Sequence, residues 1–363
     1  MDENQITLGK KNLIEVPKLR IEEKDKPLTK IEVLRKLSSG TALREGLNDI
    51  VNSGRGSLIV ISNMMSEKVF QGGFKVNCKF TSKRLAELAK MDGAIILSED
   101  FKKILCANTM LIPDSSLGSI ETGIRHQSAE RTAKQINGLV IAVSERKGEI
   151  TAYYGNFKYV LQHTEDLLRR ATETLQILEK QREIFNELLI NLNVLEITNL
   201  VSIADISRIL QRIEMMRKMI NIINEYILEL GKEGIIVRLR MKEITRGLES
   251  EEALIIKDYF LKSRARQFFD SLNFEELLDL ENISKFLFKD SLDKGIVSRG
   301  YRILGKTSLT RGEIENLIDS FDNLDGILSA EEEALEEVLK DRVIDFRNEI
   351  NHLREQIMVG KKI

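Results

Sequence analysis

Hydrophobic positions between Ile31 and His163 follow two alternating patterns. Apolar residues spaced three and four apart predict helices over 31–37, 42–51, 81–91 and 128–136. Short apolar runs bounded by Gly, Asn, Asp or Ser predict strands at 57–61, 93–97, 103–107 and 139–143. A further apolar run after Gly148 predicts a β-hairpin with the last of these strands. The alternation predicts an α/β domain in which helices flank a mixed sheet.

The strand pattern disappears from Thr164 onward. Leu, Ile and Met recur at helical spacing as far as Leu230, and Gly231 is suited to a helix C-cap. This stretch predicts an all-α spine. Shorter helical segments follow, and two of their starts fit the capping box, at Thr310–Glu313 and Ser329–Glu332. They predict a small helical C-terminal domain.

These changes of pattern divide the chain into segments. The first is polar, has mixed charge and contains Pro17 and Pro27, so we expect a peripheral extension. The predicted segments are the N-terminal extension over 1–30, the α/β domain over 31–163, the spine over 164–285 and the small helical domain over 286–363.

Composition and charge exclude several classes of protein. The chain has 363 residues and a net charge of −2, so no overall basic field indicates nucleic acid. No stretch approaches the roughly 20 apolar residues that cross a bilayer, and we expect a cytoplasmic protein without a membrane segment. Cys78 and Cys106 lack the spacing of a disulfide framework or a zinc site.

Two short motifs are candidates for chemistry. The Asp92–Ala94 motif opens an apolar strand, and its carboxylate and small residues suit a hard divalent cation beside a closely approaching nucleotide. Arg125 and His126 follow Gly123 just before a predicted helix N-terminus, where free N–H groups favour phosphate. Taken singly, the first motif is more often a turn and the second a solvated helix start. Their combination predicts a metal–nucleotide site.

The segments around these motifs resemble the diadenylate cyclase family, at 92–94, 125–135, 139–145, 205–216 and 299–304. The resemblance covers nearly the whole chain after the N-terminal extension and is far more specific than either motif. It implies a metal-dependent enzyme that condenses two ATP into cyclic di-AMP with loss of two pyrophosphates. It also implies facing active sites in a homo-octamer and a C-terminal helix-hairpin-helix module for branched DNA.

The resemblance also implies roles for individual residues. Asp92 would bind the Mg²⁺ or Mn²⁺ that activates a ribose 3′-hydroxyl, and Asp92, Arg125 and His126 would form the catalytic set. Arg125 and His126 would hold phosphates, and Leu111 would pack on adenine. Glu145 has two interpretations, a second carboxylate near the metal or an exposed hairpin residue. The implied ATP-binding set is Gly93, Ala94, Leu111, Gly123, Ile124, Arg125, His126, Gln127 and Ser144.

Two positions depart from the family pattern Thr-Arg-His-Arg. Ile124 and Gln127 stand where the pattern has a hydroxyl and a second guanidinium. A hydrogen bond with a charged partner contributes about 1.5–3 kcal/mol, against about 0.5–1.5 kcal/mol for a neutral one. The sequence therefore leaves a second interpretation open, a catalytically weakened or inactive homologue that acts as a DNA-scanning or scaffold protein.

A third candidate class is a nucleotide hydrolase, because Gly300–Thr307 matches the P-loop pattern GxxxxGK[ST]. A P-loop follows a buried strand and opens directly into a helix. Here a polar stretch precedes the motif, and the next capped helix is predicted at about Thr310. These differences disfavour the P-loop.

Binding of branched DNA is predicted to be weak. A helix-hairpin-helix turns through glycines whose N–H groups contact phosphate, and the corresponding connection over 338–343 has no glycine. The carboxylates around it match a polyanion poorly. They are Glu331, Glu332, Glu333, Glu336, Glu337, Asp341, Asp345 and Glu349. The alternative contact is a separate basic patch formed by Arg299, Arg302, Lys306 and Arg311.

Overall fold

The computed structural model describes residues 29–62, 68–260 and 272–361. Most of the predicted N-terminal extension over 1–30 lies outside these described residues. Within the three described ranges, no helix combines the length and the apolar character needed to cross a lipid bilayer.

The first region folds into alternating helices and strands. Its helices are α1 (Lys30–Leu37), α2 (Ala42–Asn52), α3 (Ser82–Leu88) and α4 (Ile124–Ile136). Its strands are β1 (Ser57–Ile61), β2 (Phe70–Gln71), β3 (Phe74–Lys79), β4 (Ala94–Leu97), β5 (Lys103–Leu111), β6 (Leu139–Val143), β7 (Ile150–Tyr154) and β8 (Phe157–Leu161). The first three helices begin after threonines whose side chains accept hydrogen bonds from N–H groups of the first turn, Thr29, Thr41 and Thr81.

The described strands form one mixed eight-stranded sheet in the order β2-β5-β4-β1-β6-β7-β8, with β3 beside β5. β1 and β4 run parallel, and their register pairs Leu58 with Ala94. β6 runs antiparallel to β1 and pairs Val143 with Ser57. β5 runs antiparallel to β4, so its last residues lie beside the start of β4. We call this end of the sheet the site end, defined by Ser57, Ala94, Leu111 and Val143.

Hydrophobic side chains cover both faces of the sheet. On one face, Ile59 of β1 joins a core with Leu47 of α2 and Leu85 of α3. On the other face, Val60 of the same strand joins a core with Ala129 of α4. Because both faces are buried, the central strands are continuous apolar runs. The predicted fold of this region, a mixed sheet flanked by helices, is confirmed.

The rest of the described chain is helical. The spine contains α5 (Thr164–Ile197), α6 (Ile203–Leu230), α7 (Ile235–Ile244), α8 (Leu248–Tyr259), a 3-10 turn (Glu276–Leu278) and α9 (Leu280–Leu287). The C-terminal part contains α10 (Tyr301–Leu304), α11 (Arg311–Phe321), α12 (Leu324–Ser329), α13 (Glu332–Leu339), a 3-10 turn (Lys340–Arg342) and α14 (Val343–Met358). The two parts have separate cores, one around Phe185 and one around Phe346. The all-α character is confirmed, whereas the domain boundaries stay predictions.

A buried ion pair joins the α/β domain to the spine. Arg44 of α2 lies 3.8 Å from Glu229 of α6, and the two side chains are 3% and 1% exposed. Glu229 also accepts hydrogen bonds from the Tyr159 hydroxyl at 2.6 Å and from the Gln162 N–H at 2.7 Å. The Arg44 guanidinium donates to the Gln162 carbonyl at 2.5 Å. These contacts hold the last strand of the sheet against α6.

The start of α4 differs from the prediction. The helix begins at Ile124 and not at residue 128, because Gly123 is its N-cap. Arg125 and His126 therefore lie in the first helical turn, whereas the sequence placed them just before it. The difference brings their backbone N–H groups into the set that is left without partners at a helix start.

Two further local predictions have different outcomes. The capping box at Thr310–Glu313 is confirmed by both of its reciprocal hydrogen bonds. The one at Ser329–Glu332 is wrong, because Ser329 ends α12 and the next helix begins after Glu331. The strands β2, β3 and β8 were missed because exposed residues interrupt their apolar runs.

Candidate functional site

The first motif lies at the site end of the sheet, immediately before β4. Asp92 is exposed there, whereas Ala94 is buried in the core under α4. Gly93 has a φ of +86°, and a Cβ on it would lie 2.9 Å from the Asn108 backbone and 3.0 Å from the Thr109 carbonyl oxygen. Only glycine fits this turn. The Asp92 carboxylate therefore faces solvent from a rigid strand start.

The second motif forms the first turn of α4. Gly123 caps this helix without a side-chain hydrogen bond. Arg125 is 39% exposed, and its Nη2 lies 4.0 Å from the Glu145 carboxylate, which is itself exposed. The Arg125 guanidinium lies against Gly56, where any Cβ would collide with it. Because Gly56 directly precedes β1, Arg125 reaches the site end of the sheet.

A chain of hydrogen bonds stands behind His126. Its Nδ1 is 2.9 Å from the Tyr153 hydroxyl, which donates to Glu121 Oε1 at 3.0 Å. Lys158 Nζ lies 2.5 Å from the same carboxylate oxygen. Burial lowers the pKa of His126 and raises the pKa of Tyr153. Burial alone would raise the pKa of Glu121, but hydrogen bonds from Lys158 and Tyr153 hold it below its usual range.

The segment that leads into α4 is fixed by side chains of the helix. Gln127 Nε2 donates to the Glu121 carbonyl at 2.7 Å. The Glu130 carboxylate accepts from the Ser119 hydroxyl at 2.6 Å and from the Ile120 N–H at 3.2 Å. The amide of Gln127 is therefore engaged with the protein backbone where the family pattern has a guanidinium.

Ser144 and Leu111 complete the site end. The Ser144 N–H donates to the Glu149 carbonyl at 2.8 Å, which closes the predicted hairpin, and its Oγ accepts from the Lys147 N–H at 3.3 Å. Leu111 ends β5, pairs with Phe70 of β2 and packs against the core under α4. The structure thus places each predicted ATP-binding residue at the site end of the sheet or in the first turn of α4 and its cap.

The set of metal donors around Asp92 is small. Over the described ranges, no group of three or more His, Cys, Asp and Glu side chains converges on a metal position. Mg²⁺ commonly keeps several waters and is held by one or two carboxylates together with substrate phosphates. The exposed Asp92 carboxylate fits a metal of that kind, shared with a nucleotide. It does not fit a cage made of protein ligands alone.

The Gly300–Thr307 segment does not have P-loop geometry. Gly300 caps α10, which lies inside the motif and not after it. The N–H groups of Gly300, Tyr301 and Arg302 donate to the Asp258 carboxylate at 2.8, 2.6 and 3.0 Å. A protein carboxylate therefore occupies the N–H groups that a P-loop offers to phosphate.

The alternative basic patch lacks Arg302. This side chain is 3% exposed and lies 3.2 Å from Glu196, which is fully buried, and 3.1 Å from Glu251. Its guanidinium also donates to Asn193. Lys306 lies 3.5 Å from the same Glu251. Arg302 and Lys306, two of the four cations in this patch, thus neutralise carboxylates at the junction between the spine and the C-terminal part.

The connection over 338–343 is a tight helical turn. Its 3-10 turn directly joins α13 to α14. Lys340 has a φ of +53°, a conformation that favours glycine. Arg342 is paired with Glu313 at 2.8 Å. This turn lacks the glycines whose N–H groups contact phosphate, and of its two cations Arg342 is paired while Lys340 is exposed.

Sequence analysis missed four groups that support the motifs: Gly56, Glu121, Tyr153 and Lys158. Tyr153 lies in an apolar run, and that run predicts a strand but no contact with the site. Tyr153 and Lys158 are direct partners across the β7–β8 hairpin, whose turn contains Gly155. A hairpin prediction at Gly155 would have found that pair, but nothing local links it to Glu121 or His126.

In comparisons with known proteins, two protein-family models match this chain. Residues 44–157 match the model described as DisA bacterial checkpoint controller nucleotide-binding. Residues 161–292 match the model described as DisA bacterial checkpoint controller linker region. The first range contains the site end of the sheet and the start of α4, and the second contains α5 to α9.

Curated relatives are similar over most of the chain. The DNA integrity scanning protein DisA of Clostridioides difficile is 42% identical over 84% of this chain and 88% of its own length. The protein of the same name from Clostridium botulinum is 38% identical over 93% of this chain and 99% of its own length. That of Acetivibrio thermocellus is 42% identical over 85% and 89%. The similarity therefore extends through the spine and into the C-terminal part.

Proposed function

The chain belongs to the DisA family of diadenylate cyclases, which are nucleotidyltransferases, and we propose that it condenses two ATP into cyclic di-AMP in a reaction that depends on Mg²⁺ or Mn²⁺. The observation that carries the proposal is the register of the sheet, which brings the Asp92–Ala94 motif to the same end as Arg125 and Ser144. In each half-reaction, a ribose 3′-oxygen bonds to the α-phosphorus of the other ATP. The bond from that phosphorus to the pyrophosphate oxygen breaks, and the hydroxyl proton is released.

The residues of the site have different roles in this reaction. Asp92 would hold the metal, which supplies charge neutralisation on the phosphates and acidifies the 3′-hydroxyl. The Arg125 guanidinium and the first-turn N–H groups of α4 bind triphosphate oxygens. Gly93 lets the nucleotide approach the backbone closely. Leu111 packs on adenine, and Ser144 lines the opposite side of the site.

Two residues favour a slower reaction than the family pattern would give. Ile124 is 84% exposed and has no hydroxyl to offer a phosphate. Gln127 supplies a neutral amide that already donates to the Glu121 carbonyl. These two positions support the second interpretation, a catalytically weakened homologue whose main role is scanning or scaffolding.

The test is to incubate the purified protein with ATP and Mn²⁺ or Mg²⁺ and to identify the products by mass. We expect cyclic di-AMP and pyrophosphate, and none of either from Asp92→Asn, because lost charge stabilisation at a phosphoryl centre costs several kcal/mol. Lys306→Ala is the matched control, since it removes the P-loop lysine and leaves the site end untouched. Full turnover by Asp92→Asn would refute the site, and no product from the wild type would favour the scaffold.

Association of several chains is a further part of the proposal. Each chain has one site end, and each 3′-oxygen must reach the α-phosphorus of a second ATP, so two site ends must face each other. Exposed apolar side chains surround the site end: Met91 at 47%, Met110 at 63%, Ile112 at 45%, Ile120 at 84% and Ile124 at 84%. Such a patch is typical of an interface. We expect a homo-octamer by native mass spectrometry, and a monomer that still makes cyclic di-AMP would contradict the facing arrangement.

DNA binding is proposed to be weak. Arg302 is buried, Lys306 and Arg342 are paired with carboxylates, and the 340–342 turn lacks glycine. A titration with four-way-junction and linear DNA at about physiological salt should give Kd values near the non-specific range of roughly 10⁻⁴–10⁻⁶ M. Submicromolar binding that prefers the junction would overturn this expectation. If Arg311→Ala then kept this junction binding, the start of α11 would be excluded as the DNA contact.

A further inference from the structure

We propose that Gly56 is a positioning residue for Arg125, because its missing side chain leaves the space in which the Arg125 guanidinium lies at the site end. The proposal rests on the proposed function for the identity of the ligand, ATP. It adds a residue outside both motifs to the groups that prepare the site. Gly56 needs no contact of its own with the nucleotide, since it acts through Arg125.

Arg125 and Gly56 approach each other from different elements. Arg125 lies one turn before Ala129 on α4, so the two residues are on the same side of the helix. Ala129 packs in a core with Leu58 of β1, and Arg125 therefore extends beyond the start of that strand. Gly56 lies at this place, directly before β1.

The space above Gly56 belongs to the predicted ATP site. β1 and β6 are antiparallel and pair Ser57 with Val143, so the next positions outward are Gly56 and Ser144. On the other side of β1, the parallel strand β4 starts at Ala94. Gly56 therefore lies between Ser144 and the motif that opens β4.

A side chain at position 56 and the Arg125 guanidinium would occupy the same space. A Cβ on Gly56 would lie 2.6 Å from Cζ of Arg125, 3.1 Å from its Nη2 and closer still to its Nη1. Carbon atoms in normal packing are about 3.5–4.0 Å apart. The three atoms nearest to this Cβ all belong to one guanidinium, which is the flexible end of a long side chain. Even alanine would therefore displace the guanidinium and leave the backbone in place.

The backbone at position 56 does not itself require glycine. Gly54, two positions earlier, has a φ of +65°, whereas Gly56 is not among the described glycines with positive φ. Alanine replaces a glycine outside the left-handed region without strain in the backbone. The feature that requires glycine at this position is thus the space for Arg125.

Among the described residues, one ion pair also holds Arg125, and it is weak. Its Nη2 lies 4.0 Å from Glu145 Oε2, and the two side chains are 39% and 63% exposed. Without the space above Gly56, the guanidinium would move to another rotamer in solvent. A guanidinium binds two phosphate oxygens only in a planar fork geometry, so its position before ATP arrives affects the affinity.

The first test needs no ligand. Phenylglyoxal modifies accessible guanidinium groups, and peptide mapping by mass spectrometry follows each arginine of the full-length chain separately. In Gly56→Ala, modification of Arg125 should become about twofold faster, because the guanidinium moves from 39% exposure to a rotamer in solvent. Arg146, which is already exposed, is the internal reference. Equal rates at Arg125 in the wild type and in Gly56→Ala would refute the proposal.

The second test is a double-mutant cycle on nucleotide affinity. Isothermal titration of the full-length chain with α,β-methylene-ATP and Mg²⁺ measures Kd without turnover. Gly56→Ala should raise Kd about tenfold to a hundredfold, the loss expected for a hydrogen bond with a charged group. Arg125→Ala should raise Kd by a similar factor, and in that background Gly56→Ala should add less than about twofold. A full additional loss would mean that the new side chain meets the nucleotide directly, which would refute the positioning role.

Unfolding measurements distinguish a displaced guanidinium from a damaged fold. The urea midpoint of Gly56→Ala should equal or slightly exceed that of the wild type, because alanine restricts the unfolded chain. Gly118→Ala is the matched control, since a Cβ there would have no atom within 4 Å and should change none of the three measurements. A lower midpoint in Gly56→Ala, with unchanged modification of Arg125, would assign Gly56 to the fold and refute the proposal.

Failure of this proposal and failure of the proposed function give different results. A chain that makes no cyclic di-AMP, but whose Arg125 becomes more reactive in Gly56→Ala, would contradict the proposed function and leave the positioning role intact. A chain that makes cyclic di-AMP with the same kcat/KM in the wild type and in Gly56→Ala would keep the function and refute the role of Gly56.

Discussion

Arg125 and Arg302 are both arginines at the start of a helix, and both were candidates for anion binding. Arg125 is 39% exposed and has a loose partner, Glu145, at 4.0 Å. Arg302 is 3% exposed and lies between Glu196 and Glu251 at 3.2 and 3.1 Å. The difference indicates that a guanidinium near a helix start stays accessible to a ligand only where the fold does not bury it between carboxylates.

The helix starts that carry these two arginines, those of α4 and α10, also differ in whether a protein carboxylate accepts from their N–H groups. The first turn of α4 follows Gly123, which provides no capping side chain. The first turn of α10 donates three N–H groups to the buried Asp258 carboxylate, whose pKa is raised to about 7 by burial and by Glu196. The start of α10 is closed by an internal carboxylate, whereas we propose that the start of α4 is left for an external anion.

The largest expected effect tests the buried arginine. Arg302→Ala should lower the free energy of unfolding by about 3–5 kcal/mol, because it leaves the buried Glu196 carboxylate without its counter-ion. Urea titration followed by circular dichroism measures this loss. Arg311→Ala is the control, since Arg311 is 81% exposed and its pair with Glu315 should contribute about 0–1 kcal/mol. Equal losses in both variants would break the comparison.

The next largest expected effect is on catalysis, and it tests the exposed arginine, Arg125. Arg125→Ala should lower kcat/KM by about 10²–10³-fold, or about 2.7–4 kcal/mol of transition-state stabilisation. Its free energy of unfolding should barely change, because Arg125 has only one weak ion pair to lose. Steady-state kinetics and urea titration on the same samples separate the two quantities. The exposed Arg146 of the neighbouring hairpin gives the control variant Arg146→Ala, and a similar loss there would contradict a specific role.

The smallest expected effect comes from a variant that adds a positive charge to the first turn of α4. Gln127→Arg should raise kcat/KM about tenfold, which corresponds to about 1.4 kcal/mol of added transition-state contact. Adding Ile124→Thr to it should raise the rate further by restoring the hydroxyl of the family pattern. A fall in kcat/KM with both changes would show that the contact from Gln127 to the Glu121 carbonyl is worth more than the missing guanidinium.

Much of the fold was predictable because it depends on local periodicity. The run at 57–61 and the run at 139–143 became β1 and β6 with unchanged bounds. Local rules failed where a tertiary contact decided the ends of an element. The α4 helix gained its first turn because Gly123 could serve as a cap, and the packing of Glu130 and Gln127 fixes the segment before it.

The candidate site was predictable in its motifs and not in its supports. Asp92, Arg125 and His126 stand out by residue type and by resemblance. Tyr153 and Glu121 do not, because their effect on His126 depends on hydrogen bonds that span 27 and 32 positions of the sequence. Such contacts depend on the sheet register, which a pattern of apolar residues does not specify.

The sequence by itself determined the change from an α/β region to an all-α region, the family, and the two motifs that meet at the site end. Those properties depend on side-chain periodicity and on residue types that lie close together in the chain. The tertiary structure alone decided which arginine is open and which is buried, since Arg302 meets Glu196 across 106 positions. Charge is a property of a residue, but its availability to a ligand depends on burial and on distant counter-ions.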